Sequence, residues 1–462
     1  MQRYIVEFSK YFIALFMVLY TLESFPALRK KREDERNGVY IRQDIYIFLI
    51  QFFSYLCMCL KTGQIEYLFF YAFLQIALFS TLVLYQMIYP KNNRLILNHM
   101  CLLLSVGFIM LTRLDFDKAV KQFFIVAAAL GAALVIPFFV HKLRFIKHLK
   151  WLYGGVGIVA LGVVLVLGQV THGSKISYTI GGVTIQPSEL VKIIFVFFIA
   201  SLLYKAATLK EVIFSAFMAG IHVLILVASK DLGSSLIFFV GYLFMVLIAS
   251  RNYLYLLAGF VCGGGAAVVG YYLFSHVRVR VQAFLDPFSV IDNQGFQMAQ
   301  SLFAISNGKW FGTGLFEGTP ADIPFVESDF MFSAVAEELG GIFALCMILI
   351  CLNCFFVFLK IAMELEDCFY RLVACGLGVM YIFQIFLTVG GGIKFIPLTG
   401  VTLPLVSYGG SSVLTTLIIF SIMQGLSMIY YREEKQRLKE SQEGKKRSVK
   451  ANKYVEEWDD EA

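Results

Sequence analysis

Apolar runs of about 20 residues recur along nearly the whole of this 462-residue chain, each long enough to cross roughly 30 Å of hydrocarbon. In lipid a segment must satisfy its own backbone groups, so runs of this length fold as helices. With 59% hydrophobic and only 15% charged residues, the ordinary soluble classes are excluded. The expected fold class is all-α, a polytopic integral membrane protein. Thirteen spans are predicted: 7–28, 45–60, 67–89, 96–112, 118–140, 151–170, 190–204, 211–228, 232–249, 253–274, 331–358, 369–390 and 406–430. Those at 45–60 and 190–204 are short and must tilt or borrow flanking residues.

Two basic clusters set the orientation. Arg29, Lys30, Lys31, Arg32, Arg36 and Arg42 follow the first span, and Lys142, Arg144, Lys147 and Lys150 follow the fifth. The positive-inside rule puts both in the cytoplasm. Thirteen crossings then place the N-terminus outside, the C-terminus inside, and the two longest connections, 171–189 and 275–330, on the external face. The first segment reads as a true span and not a cleaved signal, because Glu7 and Lys10 spoil a basic start and a positive cluster follows it. From Tyr431 onward the chain holds nine basic and nine acidic residues, which suits a solvated end meeting anionic headgroups.

Glycine and proline crowd into Thr388 to Ser412, TVGGGIKFIPLTGVTLPLVSYGGSS, so this stretch cannot be continuous helix. At membrane depth such backbone needs a protein-lined or water-lined cavity. Polar residues elsewhere mark candidate contacts. Glu189 and Lys192, three apart after Gln186, Pro187 and Ser188, can share a helix face and neutralise each other; helix capping and substrate contact both remain open for them. Lys230 and Asp231 lie between two spans, as a snorkelling lysine with a helix cap or as a charged pair facing a cavity. The connection 275–330 holds Arg278, Arg280, Asp286, Asp292 and Asp329, and Phe296, Met298, Ala299, Leu302 and Phe303 could form one face of a short surface helix. Arginines there can grip phosphate oxygens with paired donors. The nine cysteines imply no disulfide or metal site, Cys351 and Cys354 included, and the six histidines form no ligand cluster.

Seven motifs stand in a fixed order: QPSE with its following lysine at 186–192, DLGSS at 231–235, RVRV at 278–281, GFQMAQSLFAI at 295–305, SDFMF at 328–332, EELG at 337–340 and PLTGVTLPLVSYGGSS at 397–412. Together they resemble the SEDS family of cell-wall polymerases, the FtsW, RodA and SpoVE group, over roughly 96–430. The family core has ten spans, seven before its large external loop and three after. The resemblance therefore implies an N-terminal three-span extension at 1–95, a core at 96–430 and a charged cytoplasmic tail at 431–462.

What the resemblance further implies is glycosyl transfer in the bacterial plasma membrane. Lipid II is polymerised at the outer face, the growing glycan on its undecaprenyl diphosphate passing to the 4-hydroxyl of the incoming N-acetylglucosamine as the lipid diphosphate leaves. Such chemistry needs a carboxylate to take the hydroxyl proton and cations, or a divalent ion such as Mg or Mn, where charge builds on the diphosphate. Arg278, Arg280, Glu189, Lys192, Asp231 and Asp329 match family positions; Lys230 adjoins Asp231, and Lys394, near the final external loop, could reach diphosphate or simply snorkel to headgroups. The implied partners are a class B penicillin-binding protein and other division or elongation membrane proteins, and no nucleic acid. The family's essential loop aspartate, counted back from Gln297, falls on Val290, which cannot accept a proton. The base is then Asp292 or Asp286, with Asp292 favoured, or the chain is a non-catalytic scaffold; a lipid II flippase is the rival transport reading.

Overall fold

A computed structural model describes residues 2–28, 33–142, 144–171, 174–180, 183–205, 208–292 and 295–459. Of the first basic cluster, Arg29, Lys30, Lys31 and Arg32 lie outside the described residues. In chain order the helices are α1 (Gln2–Ala27), α2 (Glu33–Thr62), α3 (Glu66–Ile88), α4 (Arg94–Leu114), α5 (Phe116–Lys142), α6 (Lys150–Leu167), α7 (Pro187–Leu203), α8 (Leu209–Ala228), α9 (Leu232–Ser250), α10 (Tyr253–Leu273), α11 (Ser275–Leu285), α12 (Phe296–Gly308), α13 (Met331–Glu338), α14 (Gly341–Glu364), α15 (Cys368–Gly392) and α16 (Gly410–Asp459). Among the described residues, twelve have the length and apolarity of a membrane span. The thirteenth expected crossing is α7, 17 residues long and buried along most of its length.

The differences from the expected spans have local causes. The run read as 331–358 breaks between α13 and α14, where Gly340 takes φ +94° and a Cβ would stand 2.4 Å from Gly312 N. Only glycine allows that backbone approach. The short run at 45–60 is the apolar half of a 30-residue helix. Connection 171–189 contributes to a small antiparallel sheet of β1 (Gln169–Thr171), β2 (Ser174–Ile180) and β3 (Val183–Ile185), which apolar periodicity did not signal. On α12, Met298 and Ala299 face inward while Phe296 and Phe303 are exposed, so the face sketched from sequence is split between core and surface.

Polar contacts fix the sidedness of the bundle. On one face Lys10 at the start of α1 donates to Gly312 O at 3.3 Å, and Arg113 at the end of α4 donates to Glu338 at 2.8 Å. On that face also, Lys118 early in α5 donates to Glu327 at 2.6 Å and Arg280 donates to Thr399 O at 3.0 Å. On the other face Lys360 Nζ donates to Leu28 O at 3.0 Å, Lys147 pairs with Asp367 at 3.1 Å, and Arg437 pairs with Glu366. The start of α1 and the polar end of α16 thus lie on opposite faces, which requires an odd number of crossings.

Between α15 and α16 the backbone leaves the helix, and side chains satisfy it. Thr388 Oγ1 donates to Val401 O at 3.0 Å, Gln384 Nε2 to Thr402 O at 3.0 Å, and Ser407 Oγ to Ser328 O at 2.5 Å. Leu403 N donates to Ser407 Oγ, and Tyr408 N to Glu327 O at 2.7 Å. The irregular stretch is therefore lined by protein, as backbone at this depth must be.

Candidate functional site

Pro187 opens α7 in its first turn, where its missing N–H costs nothing. The helix then carries Glu189 and Lys192 inward on one face. Both side chains are 4% exposed, and Lys192 Nζ donates to Glu189 Oε2 at 3.0 Å and to Gln384 Oε1 at 2.6 Å. Gln384 passes the connection on to Thr402 O, so the buried pair ties α7 to α15 and to the 393–409 stretch. Ser411 Oγ accepts Gln186 N–H at 2.9 Å and braces the same helix start from α16.

Above this layer, four connections meet at a polar mouth. Asp231 caps α9, its Oδ1 accepting Ser234 N–H at 3.1 Å, while its Oδ2 accepts Ser188 Oγ–H at 3.0 Å. Burial pushes the Asp231 carboxyl up, and these hydrogen bonds act against it. Arg280 reaches across from α11 to Thr399 O; burial draws its pKa down, while Asp329 and Asp231 support its charge. Gly400, at φ +73°, leaves the gap between them: a Cβ would stand 3.6 Å from both Arg280 Nη2 and Asp329 Oδ2. Lys230 is exposed in a left-handed turn at φ 62°, and with Arg280 it lowers the pKa of His276, already lowered mainly by burial.

The cluster thus joins Asp231, Arg280, Asp329 and Lys230. It does not join every predicted residue. Arg278, two positions from Arg280 on the same helix, is turned outward and exposed. Lys394 is half-buried in a left-handed turn after α15. Asp286 ends α11, its Oδ1 accepting Ser289 N–H at 3.2 Å, and is exposed. Asp292 is exposed within the turn that Gly295 N closes onto Val290 O at 2.9 Å. Among the described residues, no hydrogen bond or ion pair joins Lys394, Asp286 or Asp292 to the mouth.

Among the described residues, no three His, Cys, Asp or Glu side chains stand together as a metal site. Asp231 directs both oxygens to hydrogen-bond donors and Asp329 faces Arg280, so among the described residues the mouth is ordered around a guanidinium. Sequence reasoning missed Gln384 and the Arg113–Glu338 pair. Glu338 is fully buried, and burial pushes its carboxyl up to about 7 against the opposing pull of Arg113. A glutamine inside a span and paired glutamates beside one were the available signals.

Residues 93–432 match the cell cycle protein family FTSW_RODA_SPOVE. The chain is 31% identical over 373 residues to the peptidoglycan glycosyltransferase RodA of Mycobacterium bovis, covering 73% of this chain and 78% of that one. It is 30% identical over 347 residues to the probable peptidoglycan glycosyltransferase FtsW of Aliivibrio salmonicida, covering 71% and 85%. Among solved structures, a chain from a study of polymerization and crosslinking by a peptidoglycan synthase complex aligns with TM-score 0.64 and 25% identity, over 74% of this chain and 98% of that chain. The rod shape determining protein RodA of Thermus thermophilus shares the fold at TM-score 0.55 and 22% identity, with the same coverage. On the extent of the family match and the identity to its curated members, this chain belongs to the FtsW, RodA and SpoVE family.

Proposed function

We propose that this protein is a peptidoglycan glycosyltransferase that polymerises lipid II at the outer face of the bacterial plasma membrane and releases undecaprenyl diphosphate. The observation that carries the reading is the convergence of family-motif residues from four connections on one mouth, with Lys230 and Arg280 there and two exposed loop carboxylates on the same face. The relatives named as glycosyltransferases support it. The mouth then lies outside, the start of α1 with it, and the polar end of α16 is cytoplasmic. Arg280 and Lys230 hold the diphosphate of the donor, with Arg278 and Lys394 reaching its rim. Asp231 and Asp329 keep Arg280 aimed, and Glu189 with Lys192 holds the floor.

Asp292 serves as the base. Asp286 directs one oxygen to Ser289 N–H, whereas Asp292 has no hydrogen bond or ion pair to another described residue and is exposed. It takes the proton of the acceptor hydroxyl as the new glycosidic bond forms and the bond to the diphosphate breaks, a step worth about 10²–10⁴-fold. A class B penicillin-binding protein is the fitting partner, since a related fold comes from a study of a synthase complex that couples polymerization with crosslinking.

Purified protein given lipid II should make glycan strands, and Asp292→Ala should lower the rate about 10²-fold or more. Strand synthesis untouched by Asp292→Ala but lost in Asp286→Ala moves the base to Asp286. Lipid II carried across proteoliposomes without polymer selects the flippase reading, and neither activity selects the scaffold. Running the assay with and without EDTA tests the divalent ion expected on chemical grounds.

A further inference from the structure

Helices α1–α3 precede residue 93, where the family match begins, yet they reach the external segment directly. Lys10 Nζ donates to Gly312 O at 3.3 Å, the rings of Tyr11 and Phe311 stand 5.4 Å apart, and Lys61 pairs with Glu317. The same stretch, 309–319, is held from its other side by α13. Thr313 N and Gly314 N donate to the Glu337 and Glu338 carbonyls at 2.9 and 3.0 Å, while Phe316 N and Thr319 N donate to the Glu338 and Glu337 carboxylates at 3.2 Å. At the end of α12, a Cβ on Gly308 would stand 1.9 Å from Ala336 O, so no slack separates α12 from α13. A shift of 309–319 must therefore pass into α12, whose other end begins at the loop carrying Asp286 and Asp292.

Buried and half-buried polar bonds anchor the three-helix unit along its length. Tyr20 OH and His99 Nδ1 are 2.8 Å apart, and His99 Nε2 lies 2.8 Å from Asn353 Oδ1, so one imidazole bridges α1 to α14. Asn98 donates to Tyr40 O at 3.2 Å, Tyr55 OH meets Thr112 Oγ1 at 3.0 Å, and Arg94 pairs with Asp44 at 2.6 Å. Apolar packing alone lets helices slide in lipid, whereas bonds of this kind set their height.

We propose that α1–α3 form a built-in positioning unit for the external segment. Fixed in height by α4 and α14, they present Lys10, Tyr11 and Lys61 as a clamp on 309–319, and through α12 they set the loop that carries the catalytic base. A helical hairpin serving only as an anchor would need no contact with that stretch. The activity arm of the test rests on the glycosyltransferase reading; the backbone arm does not.

The test uses the full chain in lipid nanodiscs. Deleting an exposed ion pair changes little, so the charge is reversed instead. In Lys61→Glu, hydrogen exchange across 309–319 should rise roughly tenfold while α4 and α14 keep their protection. The rate of strand synthesis should fall about fivefold with KM unchanged, the sign of lost positioning. Adding Glu317→Lys should restore both. A second variant, Lys10→Ala with Tyr11→Ala, should raise exchange in the same stretch. Unchanged exchange in 309–319 for both variants, or failure of Glu317→Lys to restore the first, overturns the clamp. If the unaltered chain makes no strands, the exchange arms still decide the clamp, and only the glycosyltransferase reading falls.

Discussion

Lys192→Met isolates the buried pair at the floor of the site. The methionine keeps most of the stem volume, so the change removes one charge and two hydrogen bonds without opening a large cavity. At the observed 3.0 Å, an effective dielectric of about 20 gives an attraction of about 5.5 kcal/mol. Truncating one member of such a pair costs about 3–5 kcal/mol, because the other charge stays buried and unpaired. Glu189 is 4% exposed and cannot turn to water, and Gln384 Oε1 loses its 2.6 Å donor at the same time. Reversible SDS denaturation in mixed micelles, followed by circular dichroism, should therefore show a loss of about 3–5 kcal/mol for Lys192→Met. Adding Glu189→Gln should return most of it, since the buried charge is gone. The lipid II polymerisation rate should drop in the single variant, because Gln384 also holds Thr402 O beneath the mouth. A single variant within about 1 kcal/mol of the parent, or a double variant no better than the single, would refute the assignment of the pair as the link between α7 and α15.

Gly400→Ala should cut polymerisation with little loss of protein yield, because the new methyl enters the gap 3.6 Å from both Arg280 and Asp329 on backbone at φ +73° that disfavours alanine by about 1 kcal/mol; an unchanged rate would place the substrate elsewhere. Glu338 carries a pH signature. Its folded pKa, about 7, lies above its ordinary value of 4.5, so its contribution to stability is fully present below 4.5 and is lost as pH rises to about 7. Denaturation midpoints should fall across that window, with Glu338→Gln removing the slope, and an identical slope in the variant would assign the titration to another group.

The span pattern was legible because hydrocarbon imposes one simple rule on long segments, and twelve of the thirteen expected crossings meet it. Where backbone geometry replaced hydropathy as the deciding term, the reading slipped. Hydropathy runs straight through Leu339 and Gly340, but the close approach of Gly312 breaks the helix there, and no window average registers a contact between residues 28 positions apart. The site divides in the same way. Arg280 and Asp231, which the fold brings together, stood out in the sequence because charge is costly near lipid and therefore conspicuous. Gln384 was not, since one glutamine in a 25-residue helix looks like tolerated polarity until Lys192 is seen donating to it. Arg278 and Arg280 stand side by side in sequence and looked equivalent. Helical twist alone separates them, turning one to Thr399 and the other to solvent, so in the proposed function Arg280 stands with Lys230 at the diphosphate while Arg278 reaches only its rim.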